Sequence, residues 1–235
     1  MKSYKTLQRI YKAKYYFLTV CLLVVISVSA QLNRVEKKII QQVQDYNQES
    51  IDFLEKLVNI NSGTLNLEGI KKVGMVLEKE FQAIEFDTRW IDMPSKMNRA
   101  GHLFASKKGS KGKRILLIGH IDTVFEADSP FQNFEIIEGK VYGPGANDMK
   151  GGDVIMLYAL KALYDLKLLD KASITVAYTG DEESSGKPLS ISRKDLIEVA
   201  KRSDIALGFE NSTGFNYATV ALSLIHISEP TRLGM

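Results

Sequence analysis

Three observations predict an α/β fold, a three-layer sandwich around a mostly parallel central sheet. Short apolar runs at 114–119, 173–178 and 204–209 have the length of buried strands. Helical patterns at 149–163 and 192–201 alternate with them, an order that lays helices on both faces of a parallel sheet. Each run also ends beside a chemically active side chain, at the strand carboxyl ends where such sheets gather their ligands: His120, Glu182 and Glu210.

The 235 residues are 45% hydrophobic and 25% charged, a balance that fits one sizeable globular domain. Lys2, Lys5, Arg9, Lys12 and Lys14 crowd the first 30 residues, which hold no acid. Removing those five charges from the formal +3 leaves −2, so the basic character belongs to the leader and no nucleic-acid partner is expected. The leader has the order of a secretory signal peptide. Bases come first, then the apolar run Phe17 to Val28, then small residues at Val28-Ser29-Ala30 suited to cleavage before Gln31. That run of 12 is short of the roughly 20 residues a membrane span needs; an uncleaved anchor is the competing reading. A secreted or periplasmic location is therefore expected. The only cysteine, Cys21, lies in the leader, so a metal site in the mature chain must be built from His, Asp and Glu.

After the leader, Gln31 to Ile60 carries an approximate helical stripe that includes Val35, Ile39, Ile40, Val43, Phe53, Leu54 and Leu57. Asn61-Ser62-Gly63-Thr64 breaks it. A second helix is expected over Leu67–Ile84, with Ile70, Val73, Val76, Leu77 and Phe81 facing in. Ile84–Ile91 and His102–Ser106 read as a strand meander, Lys107–Lys113 as a solvated turn, and Glu135–Val141 as a small hairpin around Glu138-Gly139.

Chemistry concentrates between Leu116 and Gly186. His120 follows its strand directly, and Asp122, two residues on, can accept the imidazole's other N–H and so fix the tautomer that leaves one nitrogen for a metal. Asp148 precedes a helix in a loop with Gly143, Gly145, Gly151 and Gly152. It reads either as a helix cap or as a carboxylate that bridges two metals, one per oxygen. Glu182 and Glu183 are adjacent acids after an apolar strand, either a solvated acidic turn or a pairing that costs stability unless cations compensate. In extended backbone they point opposite ways, so one can bind a metal while the other faces the substrate water. Glu210 closes the last strand, and His102, in the early meander, reads as structural.

The three signatures Leu116-Leu117-Ile118-Gly119-His120-Ile121-Asp122, Gly143-Pro144-Gly145-Ala146-Asn147-Asp148-Met149-Lys150-Gly151-Gly152 and Gly180-Asp181-Glu182-Glu183 occur in this order between Leu116 and Glu183, and the resemblance they carry covers roughly Gln31 to Ala221. Together they resemble the zinc-dependent exopeptidases and amidohydrolases that include glutamate carboxypeptidase, acetylornithine deacetylase, succinyl-diaminopimelate desuccinylase and carnosinase-type dipeptidases. The resemblance implies two zinc ions, with cobalt or manganese as substitutes. It implies that His120 and Glu210 bind one zinc, that Glu183 binds the other, and that Asp148 bridges them. It further implies Glu182 as general base, Asp122 as the partner of His120, a cis peptide after Asp148, a small peptide or N-acyl amino acid as substrate, and a homodimer. The glutamate carboxypeptidase branch, which releases a C-terminal amino acid, fits Gly180–Glu183 and Phe209-Glu210-Asn211 best. A deacylase or desuccinylase, or a non-catalytic binding domain on the same fold, are the alternatives.

The chain departs from that family in one respect. The resemblance calls for a late histidine ligand and a lid domain that also dimerises, and neither is evident. Leu222-Ser223-Leu224-Ile225-His226-Ile227-Ser228-Glu229-Pro230-Thr231-Arg232 resembles a translated sequencing adapter, so 31–221 is expected to be the N-terminal part of the catalytic domain and 222–235 non-native. On that reading the chain alone is poorly stable and inactive, while its longer parent is active.

Overall fold

The computed structural model describes residues 32–211. The leader, with Cys21, and the 222–235 stretch, with His226, lie outside the described residues. The chain divides into two compact units, one ending at Gln41 and one starting at Gln42. Helix α1 (Arg34–Asp45) begins in the first. Its start is a reciprocal cap: the Val35 and Glu36 amides donate to Asn33 Oδ1, and Asn33 N donates to Glu36 Oε2 at 2.7 Å.

The single helix expected over 31–60 is two. Tyr46 separates α1 from α2 (Asn47–Val58), and its hydroxyl donates to Asp165. Val35, Ile40 and Val43 stay exposed; burial begins at Phe53, Leu57 and Val58. α3 (Leu67–Ala83) matches its expected span, capped by Asn66 Oδ1 accepting from Gly69 N at 3.0 Å. Ile70, Val73, Leu77 and Phe81 are fully buried, each stabilising the fold by roughly 1.5–3 kcal/mol. Val76, at the edge of the stripe, is only half-buried.

Then follow β1 (Asp87–Asp92), β2 (Gly101–Lys107), β3 (Arg114–His120), the hairpin β4 (Glu135–Ile137) and β5 (Lys140–Tyr142), α4 (Gly151–Asp165) and β6 (Ser173–Thr179). A short α5 (Leu189–Ser192), α6 (Lys194–Arg202) and β7 (Ile205–Gly208) complete the described residues. The main sheet has the order β1-β2-β6-β3-β7. β3 pairs parallel with both β6 and β7, while the β1–β2 meander adds an antiparallel edge through β2 and β6. The expected parallel character therefore holds at the three strands that reach the site.

Alternation along each strand sends successive residues to opposite faces and makes the three layers. Leu103, Ala105, Leu117, Val176 and Tyr178 share one core with α2, α3 and α4. Phe104, Leu116 and Ala177 face the other way, where Leu196, Val199 and Ala200 of α6 cover them. A cleft of about 690 Å³ opens near the starts of β3 and β6. It lies at the opposite sheet end from His120, and of its five bases Arg89, Lys107 and Arg114 are paired with Asp195, Glu85 and Asp204, beside Lys108 and Arg202.

Candidate metal centre

The parallel register brings the site together. His120 of β3 pairs with Thr179 of β6, and Ile118 pairs with Gly208 of β7. The strands thus deliver His120, the turn after Thr179 and Glu210 to one edge. Asp148 arrives from the glycine loop, where Gly145 takes φ 74°, a left-handed turn that favours glycine. The Asp148–Met149 peptide is cis, as the resemblance implied. Gly152, at the start of α4, lets the helix approach β7: a Cβ there would stand 2.0 Å from the Phe209 carbonyl oxygen.

His120 is buried, and its ring nitrogens are differentiated. Nδ1 lies 3.1 Å from the Asp122 carbonyl oxygen and 3.5 Å from Asp122 Oδ1, so it donates there. Nε2 faces three acids: Asp148 Oδ1 at 3.1 Å, Glu210 Oε1 at 3.4 Å and Glu182 Oε2 at 3.9 Å. His120, Asp148 and Glu210 each offer a ligand atom, all within 4.8 Å of one another, a triad able to hold a metal ion. Glu183 stands beside this triad, outside the tight group.

The charges around these groups favour a cation. Burial pulls the His120 pKa down, but the hydrogen bond and charge of Asp122, with the charges of Asp153 and Glu210, lift it to about 10. Burial, then the charge of Asp148, pushes Glu183 up to about 7. Burial and the same crowd of acids raise Glu210, against the opposing charge of His120. A divalent cation would relieve this crowding and take the place of the imidazole's Nε2 proton. An imidazole with carboxylate oxygens and no thiolate is a donor set that suits zinc, cobalt or manganese.

Asp122 is the hub of the edge. Its buried carboxylate accepts from Thr64 Oγ1 at 2.7 Å, from Glu182 N at 2.9 Å and from Glu183 N at 3.1 Å. Burial works against its charge, but His120 and these donors hold its pKa below the usual range. One carboxylate therefore aims the imidazole and suspends the acidic turn. Every residue expected at the site is at this edge: Asp122, Glu182, His120, Asp148, Glu183 and Glu210.

Other contributors were not evident from the sequence. Thr64 reaches Asp122 because the Asn61–Thr64 break pairs with the loop after β3, Thr64 N donating to Thr123 O. Lys150 is buried and donates from Nζ to the Leu57 and Ile60 carbonyls at 2.9 Å each, tying the glycine loop to the end of α2. Burial pulls its pKa down to about 7. Asp153 is fully buried in α4, and neither carboxylate oxygen has a hydrogen-bond partner among the described residues. Burial drives its carboxyl well above the usual range. An acid in a first helical turn looks ordinary in sequence, which is why Asp153 escapes notice.

An α/β sandwich whose parallel strands converge an imidazole and several carboxylates is a frame able to hold a metal ion at its strand ends. The chain belongs to peptidase family M20/M25/M40, whose family model matches residues 116–234, a range that includes the Leu222–Arg232 stretch. Carboxypeptidase G2 of Pseudomonas sp. (strain RS-16) is 39% identical over 166 residues, 68% of this chain and 38% of that protein. Succinyl-diaminopimelate desuccinylase of Rhodospirillum centenum is 36% identical over 108 residues, 43% of this chain and 27% of that protein. Among solved structures, human carnosine dipeptidase 1 shares the fold with a TM-score of 0.62 at 19% identity, over 73% of this chain and 40% of that one. An M20 family metallo-carboxypeptidase from Sulfolobus solfataricus does so with 0.56 at 20% identity, over 68% and 37%. The chain thus spans well under half the length of these relatives.

Proposed function

We propose that the whole protein is an exported, zinc-dependent carboxypeptidase that releases a C-terminal amino acid from small peptides or N-acyl amino acids and works as a homodimer. The observation that carries this reading is the convergence of His120, Asp148 and Glu210 beside an acidic turn hung from Asp122. His120, Asp148, Glu183 and Glu210 would hold two zinc ions. When bound, the metal supplies an acidified water and a Lewis acid for the scissile carbonyl.

Glu182 is the general base. Its side chain is half exposed, open to substrate, and only 3.9 Å from His120 Nε2. It takes a proton from the attacking water as the oxygen bonds to the carbonyl carbon, and returns it to the nitrogen as the C–N bond breaks. Asp122 keeps His120 in the Nδ1–H tautomer throughout. The carboxypeptidase choice is supported by the identity to carboxypeptidase G2. A deacylase acting on N-succinyl amino acids is the second reading, supported by the match to a desuccinylase. Export rests on the order of charge and hydropathy in the leader; among the described residues no helix is long and apolar enough to cross a membrane.

Product analysis of the zinc-loaded whole protein tests the reading, with glutamyl-terminated peptides set against N-succinyl amino acids. Turnover of the glutamyl-terminated peptides is the expected result, and turnover confined to the N-succinyl amino acids would favour the second reading. Glu182→Gln should lower kcat by about 10²–10⁴-fold with metal content unchanged. Full turnover in that variant would remove Glu182 from the chemistry.

A further inference from the structure

The acidic turn is gripped from both sides, and only one grip belongs to the metal edge. Asp122 holds the Glu182 and Glu183 amides from the front. Behind the turn lies a second network. Asp181 is fully buried, and its Oδ1 accepts from Arg193 Nη1 at 2.5 Å while its Oδ2 accepts from Gly186 N at 2.8 Å. Arg193 Nη2 donates again, to the Asp181 carbonyl at 3.0 Å and to Ser185 Oγ at 2.7 Å. The guanidinium fork thus spans the turn from Asp181 to Ser185.

His102 closes the base of this network. Its Nδ1 accepts from Gly180 N at 3.1 Å, so Nε2 carries the hydrogen and donates to the Ser192 carbonyl at 2.8 Å. Ser192 Oγ in turn donates to Gly186 O at 2.7 Å. One imidazole therefore ties the residue before the turn to the residue before Arg193.

We propose that Arg193, through its buried ion pair with Asp181, is a positioning residue that fixes Glu182 and Glu183 at the metal edge. The proposal rests on the metal-centre reading above and adds a device to it. Arg193 Nη1 also donates to the neighbouring Ser192 carbonyl at 3.5 Å; its other guanidinium acceptors, on Asp181 and Ser185, lie in the turn it spans. A fork matched to a carboxylate and a carbonyl gives geometric specificity that a point charge does not. Fixing Asp181 fixes the direction in which the next two side chains leave the backbone. Residues that orient ligands from behind in this way commonly change metal affinity by about 10–100-fold when removed.

The test compares this chain with its Arg193→Gln and Arg193→Lys variants by two readouts. One is native-state amide exchange across 180–186; the other is cobalt(II) titration followed by visible absorption. Arg193→Gln should speed exchange at Glu182, Glu183 and Gly186 at least tenfold, leave α3 and β6 unchanged, and weaken cobalt binding by about 10–100-fold with an altered spectrum. Arg193→Lys should recover part of both. Should Arg193→Gln fail to fold, the Asp181→Asn/Arg193→Gln pair removes both charges together and carries the same expectation. Wild-type exchange and wild-type cobalt affinity in a folded variant would overturn the proposal. A wild-type chain that binds no cobalt would instead sink the metal-centre reading. The exchange arm alone would then decide whether Arg193 fixes the turn, faster exchange upholding it and unchanged exchange overturning it.

Discussion

Asp122 shows how much one buried side chain can organise. A carboxylate is acceptor-only, and this one is surrounded by four donors: the His120 ring, the Thr64 hydroxyl and the Glu182 and Glu183 amides. Asp122→Asn keeps the shape but turns one acceptor into a donor facing another donor. We expect it to lower stability by about 1–3 kcal/mol, read as a lower urea midpoint at unchanged slope. Metal binding should weaken with it, because the Nδ1–H tautomer of His120 loses its anchor. An unchanged midpoint would mean that the hub is not needed. At this scale the sequence was legible where function sits at strand ends. His120, Glu182 and Glu210 follow apolar runs, and Asp148 sits among glycines. Thr64, Lys150 and Arg193 were illegible because their partners lie in loops and carbonyls that only the tertiary fold brings near.

The elements deliver those residues by register. β7 must sit close to α4 for Glu210 to reach His120, and Gly152 makes room for that approach. Gly152→Ala should push the Phe209 carbonyl away, cost about 1–3 kcal/mol of stability and weaken metal binding together; a loss of stability alone would show that Glu210 tolerates the shift. The other end of the same strand pair is pinned by Arg114 and Asp204. Arg114 N donates to Asp204 Oδ2 and its guanidinium to both oxygens, while Asp204 N donates to Arg114 O. These bonds hold the Asp204 carboxyl well below the usual carboxylate range. A depressed folded pKa gives stability that is present above the unfolded value of about 3.9 and is lost as the pH falls through the folded one. The Tm gap between the wild type and Asp204→Asn should therefore be widest near neutral pH and close in acid. A gap that stays constant in acid would contradict this pin. Most elements were visible in the apolar periodicity. The helix expected at 31–60 is two, because Tyr46 turns to Asp165, while the one expected at 192–201 is observed over Lys194–Arg202. The Tyr46 contact is tertiary, and no local pattern encodes it.

At the scale of the whole molecule, the sandwich is a frame for one edge. The two cores hold β3, β6 and β7 in parallel, and the candidate metal site costs stability there, because it gathers several acids around one imidazole. Binding a cation to the folded chain alone offsets that cost by mass action. The fold class was legible because strands and helices alternate in the order that forces layers. The antiparallel edge was legible as a meander, but its pairing with β6 was not, since strand order depends on long-range contacts. The measurement that tests the account most directly is zinc titration of this chain, followed by bound-metal analysis and Tm, with His120→Ala alongside. At zinc concentrations about a hundred times Kd, the wild type should gain roughly 2.7 kcal/mol, or about 5–10 °C in Tm. His120→Ala should neither retain zinc nor gain stability. Zinc uptake that His120→Ala leaves intact, or no uptake by the wild type, would contradict the metal centre described above.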